Sequence, residues 1–216
     1  MNSSYLVVLF NILCGLFVLL LLIAEKRQWR PGIWLFKTAA SNSFVAAGLS
    51  HSGNSPYGPW PLCALILCLL GDVLLIPKEK KYFMMGVGAF LLGHVAFIGA
   101  FMAGFSSFNL RWVLVALVIL VLFIFFIMKW PWKEVPKEFF IPVNIYIVVI
   151  SSMVALAAGG VGGGASWTIL LAAVMFFISD ISVARHQFIT HEFSNKLWGL
   201  PLYYGAVLLF VASFAA

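Results

Sequence analysis

Asp72 and Asp180 each stand inside an apolar run, Leu70-Gly71-Asp72-Val73-Leu74-Leu75 and Phe177-Ile178-Ser179-Asp180. A charged group surrounded by hydrocarbon is costly, so an acid at such a position is paired, used, or both. Two carboxyl groups in different surroundings can divide proton donation from proton acceptance. Three chemistries use such a pair: hydrolysis through a cationic intermediate, peptide cleavage by an aspartyl dyad, and proton-coupled transport. Lys37 is a third charge within an apolar stretch, and two roles are open to it. It neutralises one aspartate or snorkels to the interface, where with Arg185 it holds a phosphate.

Other polar side chains collect near these charges. Asn144, Tyr146, Tyr203 and Tyr204 enter their apolar stretches from one end, Thr38 and Ser41 flank Lys37, and Ser179 precedes Asp180. With a rise of about 1.5 Å per residue, Asp72 lies ~7 Å from Pro77, Asp180 ~7 Å from Arg185, and Lys37 ~6 Å from Ile33. The same arithmetic sets His94 ~18 Å from Tyr82, near the middle of its segment. The pattern predicts one polar cavity beneath one face of a membrane. The plainer readings are that the tyrosines are interfacial aromatics and His94 a hydrogen-bonded core histidine.

Eight hydrophobic stretches must carry these residues: 4–24, 33–50, 60–76, 82–105, 110–128, 139–158, 166–184 and 197–214. A helix of roughly 20 apolar residues crosses the hydrocarbon core, so the expected fold is an all-α bundle crossing the bilayer about eight times, in a single domain. Breakers such as Gly53-Asn54-Ser55-Pro56 and the glycine run 159–164, read as a flexible loop, separate the stretches. Lys26, Arg27 and Arg30 follow the first stretch, and Lys78, Lys80 and Lys81 the third. Lys129, Lys133 and Lys137 follow the fifth, and Arg185 and Lys196 lie beside the last connection. The opposite connections hold only Arg111. Basic loops stay cytoplasmic, so both termini are expected on the other side.

Composition agrees. The chain has 216 residues, of which 63% are hydrophobic and 9% charged, with a mean hydropathy of +1.07. Lipid must therefore be the solvent for most of its surface. The net charge of +6 belongs to the loops and speaks for orientation in a membrane rather than for nucleic acid. The first stretch lacks a basic leader and a small-residue cleavage site, so it reads as a retained helix. Cys14, Cys63 and Cys68 lie in apolar stretches as packing residues. His186 and His191 have no third ligand, which argues against a metal site. Gly86-x-Gly88 follows no strand, as a dinucleotide site requires.

Several separated segments, in order along the chain, together resemble the YhhN-like family of lysoplasmalogenases. They are Leu70-Gly71-Asp72, the run from Gly88 through Gly93-His94 to Phe101, Tyr146 to Met153, Phe177-Ile178-Ser179-Asp180, and Leu202-Tyr203-Tyr204. Two positions depart from the family pattern: Thr38 follows Lys37 where a proline is frequent, and Gly205 follows the tyrosine pair where a glutamine is common. The resemblance implies hydrolysis of the vinyl ether bond of a lysoplasmalogen, a lysophospholipid substrate drawn from membrane lipid, without a cofactor. The products are a fatty aldehyde and glycerophosphoethanolamine or glycerophosphocholine. The implied location is a bacterial inner membrane, or the endoplasmic reticulum of a eukaryote.

That chemistry suits the residues. A vinyl ether is protonated at carbon, water captures the oxocarbenium ion, and the hemiacetal collapses. Asp72 and Asp180 are the expected acid/base pair, in either assignment, as carboxyls are in glycoside hydrolysis. Tyr146, Tyr203, Tyr204 and Asn144 would orient water and the ether oxygen, and His94 would mark the depth of the cavity. Against a transporter stand the one-sided polar layer and the lack of an internal repeat. A lipid-binding protein that has kept the fold and lost the chemistry is the non-catalytic alternative.

Overall fold

A polypeptide surrounded by lipid must satisfy its backbone groups within itself, and long apolar runs do so as helices. The structure, a computed structural model, describes residues 3–50, 56–128 and 135–214. Among the described residues there are eight helices: α1 (Ser3–Lys26), α2 (Arg30–Leu49), α3 (Trp60–Leu74), α4 (Lys80–Gly104), α5 (Leu110–Met128), α6 (Lys137–Gly162), α7 (Trp167–Phe188) and α8 (Phe193–Phe214). Prolines sit in the first turn of α2 and α3, where the missing N–H is not needed. Ser166 caps α7, its hydroxyl accepting the Thr168 N–H at 3.3 Å. The breaker at Gly53, Asn54 and Ser55, and the basic residues Lys129 and Lys133, lie outside the described residues.

Five helices, α1, α4, α6, α7 and α8, are long and apolar enough to cross a membrane. Trp60–Leu74 is apolar but shorter; at 15 residues, α3 reaches only ~22 Å of a hydrocarbon core about 30 Å thick. Helix α2 is diluted by Lys37, Thr38, Ser41, Asn42 and Ser43. A helix this polar is tolerated where neighbours rather than lipid cover its polar face, and Lys37, Ser41 and Ser43 are all buried.

Sequential helices pair closely, α1 with α2, α3 with α4, and α7 with α8. Helix α8 also touches α1, α2 and α3, while α6 joins α4, α5 and α7. Helix α5 packs chiefly on α6 and leaves Leu114, Val118, Ile119 and Leu122 exposed. One end of the core is a column of aromatic rings from α4 and α8. Phe97 stacks on Phe210 at 4.3 Å, and Phe210 lies parallel to Phe214 at 5.7 Å.

The glycine run forms helix, not the expected loop: α6 continues through Gly162. The reason is contact. A Cβ on Gly160 would collide with the Phe105 ring, and one on Gly162 would come within 2.6 Å of Trp112. The Asn109 N–H also bonds the Gly159 carbonyl at 2.9 Å. Bare backbone thus lets the end of α6 seat against the α4–α5 connection, and only Gly164, at φ +103°, needs the left-handed region. Overpacking of this kind costs about 1–3 kcal/mol, so Gly160→Ala should lower the thermal midpoint in detergent. Gly15 has open space around its Cα. There, alanine should be neutral or stabilising by up to ~1 kcal/mol through helix propensity. The paired melting curves check both.

Candidate active site

The two acids are held by two different sets of three helices. Around Asp72, helix α2 supplies Lys37 and Ser41, one turn apart and so on one face, and α8 supplies Tyr203. Ser41 Oγ donates to Asp72 Oδ2 at 2.6 Å, and the Tyr203 hydroxyl donates to the same oxygen at 2.7 Å. Lys37 Nζ stands 3.4 Å from Oδ1. Behind them the Tyr204 hydroxyl lies 3.2 Å from Ser41 Oγ and 3.4 Å from the Lys37 carbonyl. Every member of this group is buried. Lys37 therefore faces an aspartate rather than an interface, the first of the two roles open to it from sequence.

Asp180 is served from α4 and α6. The Tyr146 hydroxyl donates to Asp180 Oδ2 at 2.8 Å, and His94 Nε2 lies 3.6 Å from the same oxygen. His94 is 1% exposed, whereas the Asp180 side chain keeps 17% of its surface against 3% for Asp72. Helix α7 runs on to Phe188, so Asp180 sits ~12 Å from its end, deeper than the expected boundary implied.

The polar side chains form two hydrogen-bonded clusters on either side of an aromatic partition. Phe176, one turn before Asp180, meets Tyr203 at 5.2 Å, His94 at 4.6 Å and Phe90 at 6.3 Å. Phe90 reaches this place because its ring lies over Gly71, where a Cβ would come within 2.7 Å of it. Beside the partition, Cys68 is fully buried one turn before Asp72 and within electrostatic reach of both carboxylates. No hydrogen bond joins the acids to each other among the described residues. Their surroundings differ in kind: Asp72 has a lysine as counterion, and Asp180 has a phenol and an imidazole.

Not every expected residue joins these groups. Asn144 turns its amide to the Phe140 carbonyl of its own helix at 2.7 Å, and Arg185 is exposed near the end of α7. Ser41, Cys68, Phe90 and Phe176 were not among the expected site residues. Ser41 carried a signal, since its spacing from Lys37 puts both on one helical face. Cys68 has the same spacing from Asp72, but the aromatic residues carried none. His191 Nδ1 contacts the His186 carbonyl, and among the described residues no three His, Cys, Asp or Glu gather as a metal site would require.

The YhhN family matches residues 32–214, a range that includes both acids and every residue around them. The chain belongs to that family. Two relatives, both named lysoplasmalogenase, come from Mycobacterium bovis and Mycobacterium tuberculosis. Each is 32% identical over 188 residues, which is 83% of this chain and 69% of the relative. No solved structure matches the chain.

For this YhhN-family protein the ion pair between Lys37 and Asp72 has a direct consequence. Removing one partner of a buried pair strands the other charge, at a cost of about 3–5 kcal/mol. Lys37→Met should lower the melting temperature in detergent, and Lys37→Met combined with Asp72→Asn should recover much of the loss. A double variant no more stable than Lys37→Met alone would remove the ion pair from the account.

Proposed function

We propose that this protein hydrolyses the vinyl ether bond of lysoplasmalogens, releasing a fatty aldehyde and glycerophosphoethanolamine or glycerophosphocholine. The observation that carries the reading is the unequal environment of two buried acids, one ion-paired with lysine and the other without a fixed cation. The names of the mycobacterial relatives support the same substrate class.

Vinyl ether hydrolysis asks for one group that gives a proton to carbon and another that tolerates a neighbouring cation. Asp180 takes the first role: it is the more accessible acid, and among the described residues no lysine or arginine lies within ion-pair distance of it. It delivers the proton to the distal carbon of the C=C–O unit, leaving an oxocarbenium ion. Asp72 takes the second. Lys37, Ser41 and Tyr203 hold it as a carboxylate, and its negative charge in a low-dielectric interior stabilises the developing positive charge. Phe176 and Phe90 form an apolar wall beside the reacting carbon. Arg185, exposed near the end of α7, would pair with the phosphate of the head group. The bundle is read as crossing the bilayer about eight times, with its termini on the non-cytoplasmic side and its basic connections on the other.

The experiment is a mass-spectrometric screen of purified protein against alkenyl, alkyl and acyl lysoglycerophospholipids together. Aldehyde should form from the alkenyl lipid alone. Asp180→Asn should bring release below detection, and Asp72→Asn should reduce it by at least ~100-fold, the range typical for loss of a transition-state electrostatic partner. Both variants should elute from gel filtration like the native protein. Normal turnover by both would refute the assignment, and proton-dependent uptake into vesicles without product would favour a transporter.

A further inference from the structure

His94 closes the Asp180 cluster from α4. Its ring is wedged edge-on between Phe176 at 4.6 Å and Tyr146 at 5.3 Å, which fixes its orientation. Both ring nitrogens are buried without a hydrogen-bond partner among the described residues. In the tautomer that carries its proton on Nδ1, the lone pair lies on Nε2. Nε2 has no hydrogen-bond partner among the described residues. It faces Asp180 Oδ2 at 3.6 Å, too far for a direct bond.

In that tautomer two acceptors converge on one point, and a buried polar atom left in this way is a functional candidate. A group with one hydrogen can serve only one of them; water, with two, serves both. A water oxygen about 2.8 Å from Nε2 and from Oδ2 would subtend an angle of about 80° between them, compatible with donating one hydrogen to each. Its lone pairs then point away from both acceptors, free for attack.

We propose that His94 is the general base that activates the attacking water, a role that rests on the vinyl ether hydrolysis read above. Asp180 gives its proton to the distal vinyl carbon, and the electron pair of the ether oxygen forms the C=O bond of the oxocarbenium ion. Water attacks the oxygen-bearing carbon of that ion as Nε2 takes one of its protons, giving the hemiacetal and an imidazolium. The imidazolium returns its proton to the departing glycerol oxygen as the C–O bond breaks. The hemiacetal hydroxyl proton passes to the Asp180 carboxylate, so both groups end as they began and one water has been consumed.

This assignment separates protonation from capture, and heavy water can tell them apart. In deuterated buffer the wild-type protein should release aldehyde carrying deuterium beside its carbonyl carbon. His94→Gln should release aldehyde at least ~100-fold more slowly, the lower range for loss of a general base. The substrate recovered from it should nevertheless gain deuterium at the vinylic carbon, because the oxocarbenium ion forms and reverts. Asp180→Asn should do neither. Aldehyde release by His94→Gln at the wild-type rate would overturn the role of His94 while leaving the hydrolysis intact. A natively eluting His94→Gln that neither releases nor exchanges would overturn it too, since the ring would then serve protonation or packing. His94→Asn carries the same measurement if the glutamine variant does not fold, and failure of both to fold would assign the ring to the core. No aldehyde from wild type would sink the hydrolysis and this role together.

Discussion

A carboxyl group inside an apolar bundle must find its donors on other helices, and that requirement organises this molecule. Asp72 cannot be satisfied from α3, whose neighbouring side chains are leucine, valine, glycine and cysteine. It draws a lysine and a serine from α2 and a tyrosine from α8. Asp180 draws on α4 and α6 in the same way. Six of the eight helices are therefore tied by polar contacts that would be expensive to leave unmade in a low-dielectric interior. Apolar packing between helices in lipid has no hydrophobic drive to single out one arrangement, so small residues and buried polar bonds supply the specificity. The glycines at 71, 93 and 199 serve the same end. Each lies where a Cβ would meet a residue of the facing helix, Phe90, Cys68 and Ser182 respectively.

Much of this was legible in the sequence, for identifiable reasons. Eight apolar runs bounded by charged or glycine-rich connections give eight helices among the described residues, five of them long and apolar enough to cross a membrane. Residue types at odds with their surroundings, Asp72, Asp180, Lys37 and His94, marked the site, since only a partner or a function keeps such groups in apolar stretches. What stayed hidden was assignment of partners. Tyr146 and Tyr203 are both tyrosines entering from the same end, and nothing in one dimension says that the first meets Asp180 and the second Asp72. Phe176 is one of 21 phenylalanines, and its place as the partition between clusters is set by helix rotation alone. The glycine run misled because glycine-rich composition reads as a break, whereas here it answers close approach by Phe105 and Trp112.

The division of the interior into two halves follows from where each kind of residue can be afforded. Phe97, Phe101, Phe210 and Phe214 pack their rings together at one end. The other end, where the basic connections lie, holds both acids with all of their donors. An amphiphile with a single chain meets these halves in a definite order. Its alkenyl ether linkage joins glycerol to the chain, at the boundary between polar head and hydrocarbon, a short reach below the phosphate. Asp180, ~12 Å along α7 from its basic end, lies at about that depth, with Arg185 between it and the helix terminus. A group buried as fully as Asp72 could not meet such a lipid without displacing Tyr203 or Lys37. Asp180, whose partners leave part of its side chain uncovered, can. The asymmetry between the acids is thus a matter of access as well as of charge: under the proposed hydrolysis one would touch the substrate, and the other would act on it as a fixed field through a wall of aromatic rings.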